Sequence, residues 1–220
     1  AYWLYFLSTL AGFGLALYLA LHVGNPRLIW LYPLAVIGLF YYSFALKRRL
    51  LTGNLLVAAY CAGVAGIIWF AERENVAHLS EVDPQLWMET TGLIGWYLLF
   101  AFLSTLFREV VKDIEDMEGD LRQDCATVPI RWGVPTAKGL AALFAVLLLV
   151  ALGLLTWQYQ QRLTAWSLSF LLGGIGFPVL LALAGLGRAR TREDYHRLSQ
   201  LGKVIMLSGI LLLILLTVES

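Results

Sequence analysis

Charge is what this chain has least of. Only 14% of its 220 residues are Asp, Glu, Lys or Arg, whereas 60% are hydrophobic, and the mean hydropathy is +0.74. That composition excludes an ordinary soluble domain and is the profile of an integral membrane protein. Cysteine is equally sparse. Cys61 falls inside an apolar stretch and Cys125 beside a group of acids, a spacing that gives neither a metal knot nor a disulfide framework, so both are read as reduced thiols. Linkers, low-complexity tracts and solenoid repeats are absent, and a single all-helical domain over 1–220 is expected. No cleavable signal peptide is recognisable, because the first hydrophobic stretch has no basic leader. The chain starts at Ala1 without methionine, which creates the expectation of an upstream segment.

Seven stretches are free of Asp, Glu, Lys and Arg: 1–21, 28–46, 50–71, 90–107, 139–160, 164–187 and 204–218. At about 1.5 Å per residue each crosses, or nearly crosses, a hydrocarbon core about 30 Å thick. The expected fold is therefore an all-α, polytopic bundle of seven transmembrane spans. The connections 46–50, 108–138 and 188–203 hold 13 of the 16 Lys and Arg residues, and only Arg27, Arg73 and Arg162 fall on the others. Basic residues near span ends stay on the cytoplasmic side, so these three connections are expected to share that face. The outer 72–89 connection is expected at the interface, with Trp87 in the aromatic belt. In "LLGGIGFP", Gly173, Gly174 and Gly176 suggest close helix packing with a bend at Pro178.

Against this scarcity of charge, six acids crowd into the twelve residues from Asp113 to Asp124. If residues 109–124 continue the fourth span as one helix, at about 100° per residue, then Glu109, Asp113, Asp116, Asp120 and Asp124 share a stripe about 80° wide. Glu115 and Glu118 point elsewhere and read as a solvated face. Like charges at such spacings repel, and divalent cations bridging the carboxylates would remove the penalty. Hard oxygen ligands favour Mg²⁺, which keeps waters and shares its shell with substrate phosphates. Cations stand nearby in sequence: Arg108, Lys112 and Arg122 in the same segment, and Lys47, Arg48 and Arg49 in another connection on the same side. Metal plus cations is how phosphoryl oxygens are clamped; the bland alternative is a solvated acidic loop.

"KDIEDMEGD" followed by "TVPIRWG" resembles the second Asp-rich motif of the UbiA superfamily of intramembrane prenyltransferases. "YYSFALKRRLLTGN" adds the superfamily's Tyr-x-x-x-Leu-Lys pattern as Tyr42, Leu46 and Lys47, with Asn54 following. The combination is most similar to the geranylgeranylglycerol-phosphate geranylgeranyltransferase branch. The resemblance implies an Mg²⁺-dependent prenyl transfer from a prenyl diphosphate to a lipophilic acceptor in the membrane, with an active site facing the cytoplasm. It implies Asp116 and Asp120 as catalytic metal ligands, Asp113 as an added ligand, and Lys47, Arg48 and Tyr42 as the diphosphate clamp. Asn54, Arg108 and Lys112 complete the expected substrate-binding set. Family members have nine spans and a first motif, Asn-x-x-x-Asp, after their second span. This chain lacks that motif, and its stretches correspond to the third through ninth. Asp124 stands where a Gly is usual.

His196, in "RTREDYHRLSQLGK", is assigned to the headgroup surface; were that connection to close over the substrate, Tyr195 or Lys203 would come near the phosphate. The acceptor stays open between a prenylglycerol phosphate hydroxyl and an aromatic, quinone-precursor carbon. An ion-coupled transporter is the non-enzyme rival, although its ionisable groups would sit near the midplane. Phosphatidyltransferases using CDP-alcohols share Asp-x-x-x-Asp spacing but carry an Asp-Gly-x-x-Ala-Arg element that is missing here. A nucleic-acid partner is not expected.

Overall fold

The structure, a computed structural model, describes residues 2–46 and 49–219. Helices form nearly all of it, and no strand occurs among the described residues. In chain order they are α1 (Tyr2–His22), α2 (Leu31–Tyr41), α3 (Thr52–Ala71), α4 (Arg73–Val82), α5 (Pro84–Glu115), α6 (Met117–Arg122), α7 (Val128–Trp132), α8 (Val134–Tyr159), α9 (Ala165–Phe170), α10 (Phe177–Arg188) and α11 (Arg192–Glu219). Six helical segments among the described residues are long and apolar enough to cross a membrane. The remaining expected stretch, 28–46, is composite. A 3₁₀ turn over Pro26–Trp30 leads into α2, and a wide π turn over Tyr42–Leu46 follows it.

α5 is the axis of the bundle, with α3, α8 and α11 packed around it. Its 32 residues measure about 48 Å at the usual rise, more than the hydrocarbon core needs, so its polar end, Arg108 to Glu115, extends past the apolar stretch. Asp83 starts the helix by accepting the Leu86 N–H at 3.0 Å, with Pro84 in the first turn, where a missing N–H costs nothing. Leu103, Leu106, Phe107, Val110, Val111 and Ile114 carry its buried face. Opposite them, Ala137, Ala141 and Ala145 lie one turn apart on α8 and are fully enclosed, and small side chains of this kind let helix backbones approach closely. Gly209 does the same on α11, since a Cβ there would stand 2.5 Å from the Phe100 ring. Large apolar side chains point outward, with Trp157 71% and Trp166 79% exposed. That inverted distribution suits a lipid solvent.

The glycines of "LLGGIGFP" work differently from the expectation. Leu171–Gly176 forms a π turn ahead of Pro178, Gly173 faces open space, and Gly174 abuts Phe170 of its own segment at 3.2 Å. They allow a wide turn rather than a close crossing. At the end of the bundle away from the acids, Arg162 pairs with Glu89 at 2.7 Å and Trp96 donates to Gln158 at 3.0 Å, tying α8 to α5.

Candidate functional site at the charged end of the bundle

The helix carrying the acids is not continuous. α5 ends at Glu115, and Asp116 takes φ −92°, ψ 3° before α6 begins. The junction stays hydrogen-bonded: the Asp116 N–H donates to Lys112 O at 2.8 Å, and the Asp116 carbonyl accepts from Gly119 and Asp120 at 2.9 and 3.0 Å. Like charges at helical spacing and a glycine at 119 both weaken a continuous helix, which accounts for the break.

The expected stripe accordingly ends at Asp120. Asp124 adopts a left-handed φ of 53°. The Cys125 N–H returns to Asp120 O at 3.0 Å and the Asp124 N–H to Leu121 O at 3.3 Å. This is the hydrogen-bond pattern of a Schellman C-cap, in which the left-handed residue is usually glycine. The geometric placement of Asp124 among the metal-facing acids is therefore corrected: it terminates α6.

Two sides of α5 carry the charged groups. Asn54, in the first turn of α3, donates from Nδ2 to Asp113 Oδ2 at 2.8 Å. Gly53 beside it lets α3 close on the preceding turn, since a Cβ there would meet Leu46 O at 3.0 Å and the Tyr42 ring at 3.2 Å. The Tyr42 phenol lies within electrostatic reach of Glu109, Asp113 and Asp120. Lys47 and Arg48 lie outside the described residues. Glu115 follows Asp113 by two positions, about 200° around the helix, and meets α11, where His196 Nδ1 bonds its Oε1 at 2.7 Å. The expectation of a solvated Glu115 is thus corrected, since its side chain is only 13% exposed and bonds the His196 ring, while His196 itself is exposed, as a surface position requires. Arg108 faces the same helix. It pairs with Glu109, and its stem packs where a Gly202 Cβ would stand, 3.2 Å away.

Where α5 gives way to α6, beside the start of α11, opens a cleft of about 500 Å³, lined by Lys112, Glu115, Asp116, Glu118, Gly119, Asp120, Arg122, Gln123 and Arg192. Of the expected residues it brings together Asp116, Asp120 and Lys112. Asp113, with Asn54 and Tyr42, stands on the α3 side, within electrostatic reach of Asp120. Arg108 does not line the cleft. Tyr195 is buried, donates to Ala189 O at 3.3 Å, and lies against Lys138, so it serves packing. Glu118, Arg122 and Arg192 enter the cleft from outside the expected site set. Arg192 was reachable from sequence only through "TRED", a helix-start signature that places it in the first turn of the last helix.

Among the described residues, no group of three or more His, Cys, Asp or Glu side chains is arranged to hold a metal ion by itself. Asp116 and Asp120 nevertheless bring two carboxylates to one open cleft. Such a donor set fits Mg²⁺ shared with a ligand's phosphate oxygens and does not fit a closed protein cage.

Residues 1–214 match the UbiA prenyltransferase family. The chain belongs to that family. Its UbiA relatives include the digeranylgeranylglyceryl phosphate synthase of Methanopyrus kandleri, 30% identical over 173 residues, 79% of this chain and 56% of the relative. The protein of the same name from Methanosphaera stadtmanae is 31% identical over 175 residues, 79% and 57% of the respective chains. That of Methanothermobacter thermautotrophicus is 33% identical over 148 residues, 66% and 42%. The chain thus spans about half the length of the curated relatives it matches. No solved structure matches it. As a UbiA family chain with six long apolar helices, it is an integral membrane protein.

Proposed function

We propose that this chain carries the diphosphate-binding half of a prenyl transfer that builds an ether lipid: a prenyl group moves from its diphosphate to the hydroxyl of a prenylglycerol phosphate. The observation that carries this reading is the cleft, where Asp116 and Asp120 face the same space as Lys112. Family membership and the names of the archaeal relatives support it.

In the reaction, the prenyl C1–oxygen bond breaks and diphosphate leaves with the electron pair. The acceptor hydroxyl oxygen bonds to C1, and its proton passes to solvent. Asp116 and Asp120 would hold Mg²⁺, with Asp113 as an added ligand on the α3 side. Mg²⁺ held there would supply positive charge against the negative charge developing on the departing diphosphate. Lys47 and Arg48, which precede α3 in sequence, would contribute cationic donors, and Tyr42 a phenolic one. Asn54 fixes the Asp113 carboxylate, and Lys112 adds a cation from the last turn of α5. Arg108, committed to Glu109 and α11, acts by holding the two helices in register. The surrounding apolar bundle excludes water that would otherwise capture the allylic carbon.

Pro26 to Leu46 serves as a seventh span, assembled from 3₁₀, α and π turns, and the positive-inside bias puts the cleft on the cytoplasmic side. The test is an assay of membranes containing the protein, with several prenyl diphosphates and both acceptor classes, with and without a chelator. Transfer to a prenylglycerol phosphate that chelation stops is the expected result. Transfer to a hydroxybenzoate carbon instead would replace the acceptor assignment.

A further inference from the structure

The first turns of α11 are held more firmly than a surface helix end requires. Thr191 and Asp194 form a reciprocal cap: Asp194 Oδ2 accepts from the Arg190 and Thr191 N–H groups at 3.0 and 2.9 Å, and the Asp194 N–H reaches Thr191 Oγ1 at 3.3 Å. Before the cap, Ala189 O accepts from Tyr195 at 3.3 Å and from the Lys138 ammonium. One turn after Arg192, His196 ties the same face to Glu115 across the cleft wall. Gln200 stands 3.3 Å from the other ring nitrogen. Three elements thus converge on the turn that presents Arg192.

Arg192 itself is spent on none of this. The close acid–base contacts among the described residues are Arg73–Glu74, His78–Glu81, Arg108–Glu109, Arg162–Glu89 and His196–Glu115. Arg192 is exposed, takes part in none of them, and lines the cleft with Asp116, Asp120 and Arg122. A guanidinium borne on a fixed backbone turn and taking part in none of those pairs, at a cleft assigned to phosphate, is suited to bidentate recognition of phosphate oxygens.

We propose that Arg192, aided by Arg122, binds the phosphate monoester of the acceptor and so selects a glycerol phosphate over a neutral or aromatic acceptor. The inference rests on the prenyl-transfer reading and deepens it. The two faces of α5 argue for the acceptor rather than the donor. The motif residues assigned to the donor, Tyr42 and Asn54, sit on the α3 side with Asp113. Arg192 comes from the α11 side and lines the cleft together with Glu115. Asp120 belongs to both neighbourhoods, since it lines the cleft and lies within electrostatic reach of Tyr42 and Asp113. Two phosphate-bearing ligands approaching from opposite sides would meet there, at a carboxylate assigned to hold Mg²⁺.

The experiment pairs Arg192→Gln with removal of the acceptor's phosphate. Turnover of detergent-solubilised full-length protein is measured with a prenylglycerol phosphate and with the corresponding dephosphorylated alcohol. Binding of each amphiphile alone is measured by thermal shift without prenyl diphosphate. Arg192→Gln is expected to raise the KM for the phosphorylated acceptor about ten- to a hundredfold. The KM for prenyl diphosphate and the rate with the alcohol should stay unchanged, Arg192→Lys should recover part of the loss, and Arg190→Gln should have no effect. In the binding arm only the phosphorylated amphiphile should shift the wild type, and Arg192→Gln should abolish the shift. A rise in KM for prenyl diphosphate equal to that for the acceptor would overturn the proposal, as would wild-type protein binding both amphiphiles alike. Arg192-dependent binding without any transfer would retain phosphate recognition and remove the transferase reading.

Discussion

Asn54 and Asp113 lie 59 positions apart in the chain and meet in a single hydrogen bond of 2.8 Å. The bond joins the "LLTGN" element to the acid motif and fixes how the first turn of α3 sits against the charged end of α5. Asn54 is 9% exposed, so a replacement that cannot donate leaves a largely enclosed carboxylate without its partner. Asn54→Leu should cost about 1–3 kcal/mol of stability and lower prenyl transfer as well. Asn54→Asp should be worse, because it sets like charges 59 positions apart in contact. Thermal unfolding in detergent and turnover in membranes check both, and an unchanged melting point for Asn54→Asp would refute the contact.

Asp116 and Asp120 face the cleft together, while Asp124 caps α6. Asp116→Ala or Asp120→Ala should abolish turnover while the protein still inserts and folds, because the lost oxygens serve the ligand and not the packing. Glu118→Ala, which removes an exposed cleft-lining acid outside the assigned metal set, should be mild. Equal losses in all three would argue for a general structural role of the segment, and turnover indifferent to chelators would argue against Mg²⁺.

The apolar stretches are readable from sequence because membrane crossing is a one-dimensional property: a run without charge must find a lipid or helix neighbour. α1, α3, α8 and α11 overlap the expected stretches, α5 covers one and runs past both its ends, and α9, the following π turn and α10 together make another. The acid motif was readable because its residue types and spacing carry chemistry locally. The break at Asp116 was not, since angular bookkeeping treats residues 109–124 as one rigid helix and has no place for the repulsion and glycine that interrupt it. Nor was the Glu115–His196 pair, whose members are 81 positions apart and carry no mutual signal. The presence of Arg192 at the cleft was hidden for the same reason: it follows from where α11 docks, which local periodicity does not encode.

Asp124→Gly tests the reading of that residue as a helix cap. A left-handed φ of 53° strains a residue with a Cβ by about 1 kcal/mol, and glycine adopts it freely. The substitution should therefore leave turnover and Mg²⁺ dependence intact and hold or raise the melting temperature. Asp124→Val, β-branched in a left-handed conformation, should lower it. Loss of metal response in Asp124→Gly would return Asp124 to the metal-facing acids.

Lys47 separates a clamp on the diphosphate from bulk electrostatics. In sequence it follows the Tyr42–Leu46 turn, and the Tyr42 phenol lies within electrostatic reach of Asp113 and Asp120, so the tyrosine of the Tyr-x-x-x-Leu-Lys pattern stands beside the acid motif. Arg190 carries the same charge on the same side of the bundle, but its backbone N–H caps α11 and its side chain does not line the cleft. A contact that strengthens as the leaving group develops charge lowers turnover by about two to four powers of ten when removed, with smaller effects on binding. Lys47→Met should therefore cripple prenyl transfer at saturating prenyl diphosphate, and Arg190→Met should not. Both are compared in membranes at matched protein levels, with Tyr42→Phe as a third variant that keeps the ring against Gly53 and removes only the hydroxyl. Near-normal turnover of Lys47→Met would reduce the "KRR" run to a topology signal, because a charge that only retains the loop in the cytoplasm is replaceable by Arg48 and Arg49 next to it.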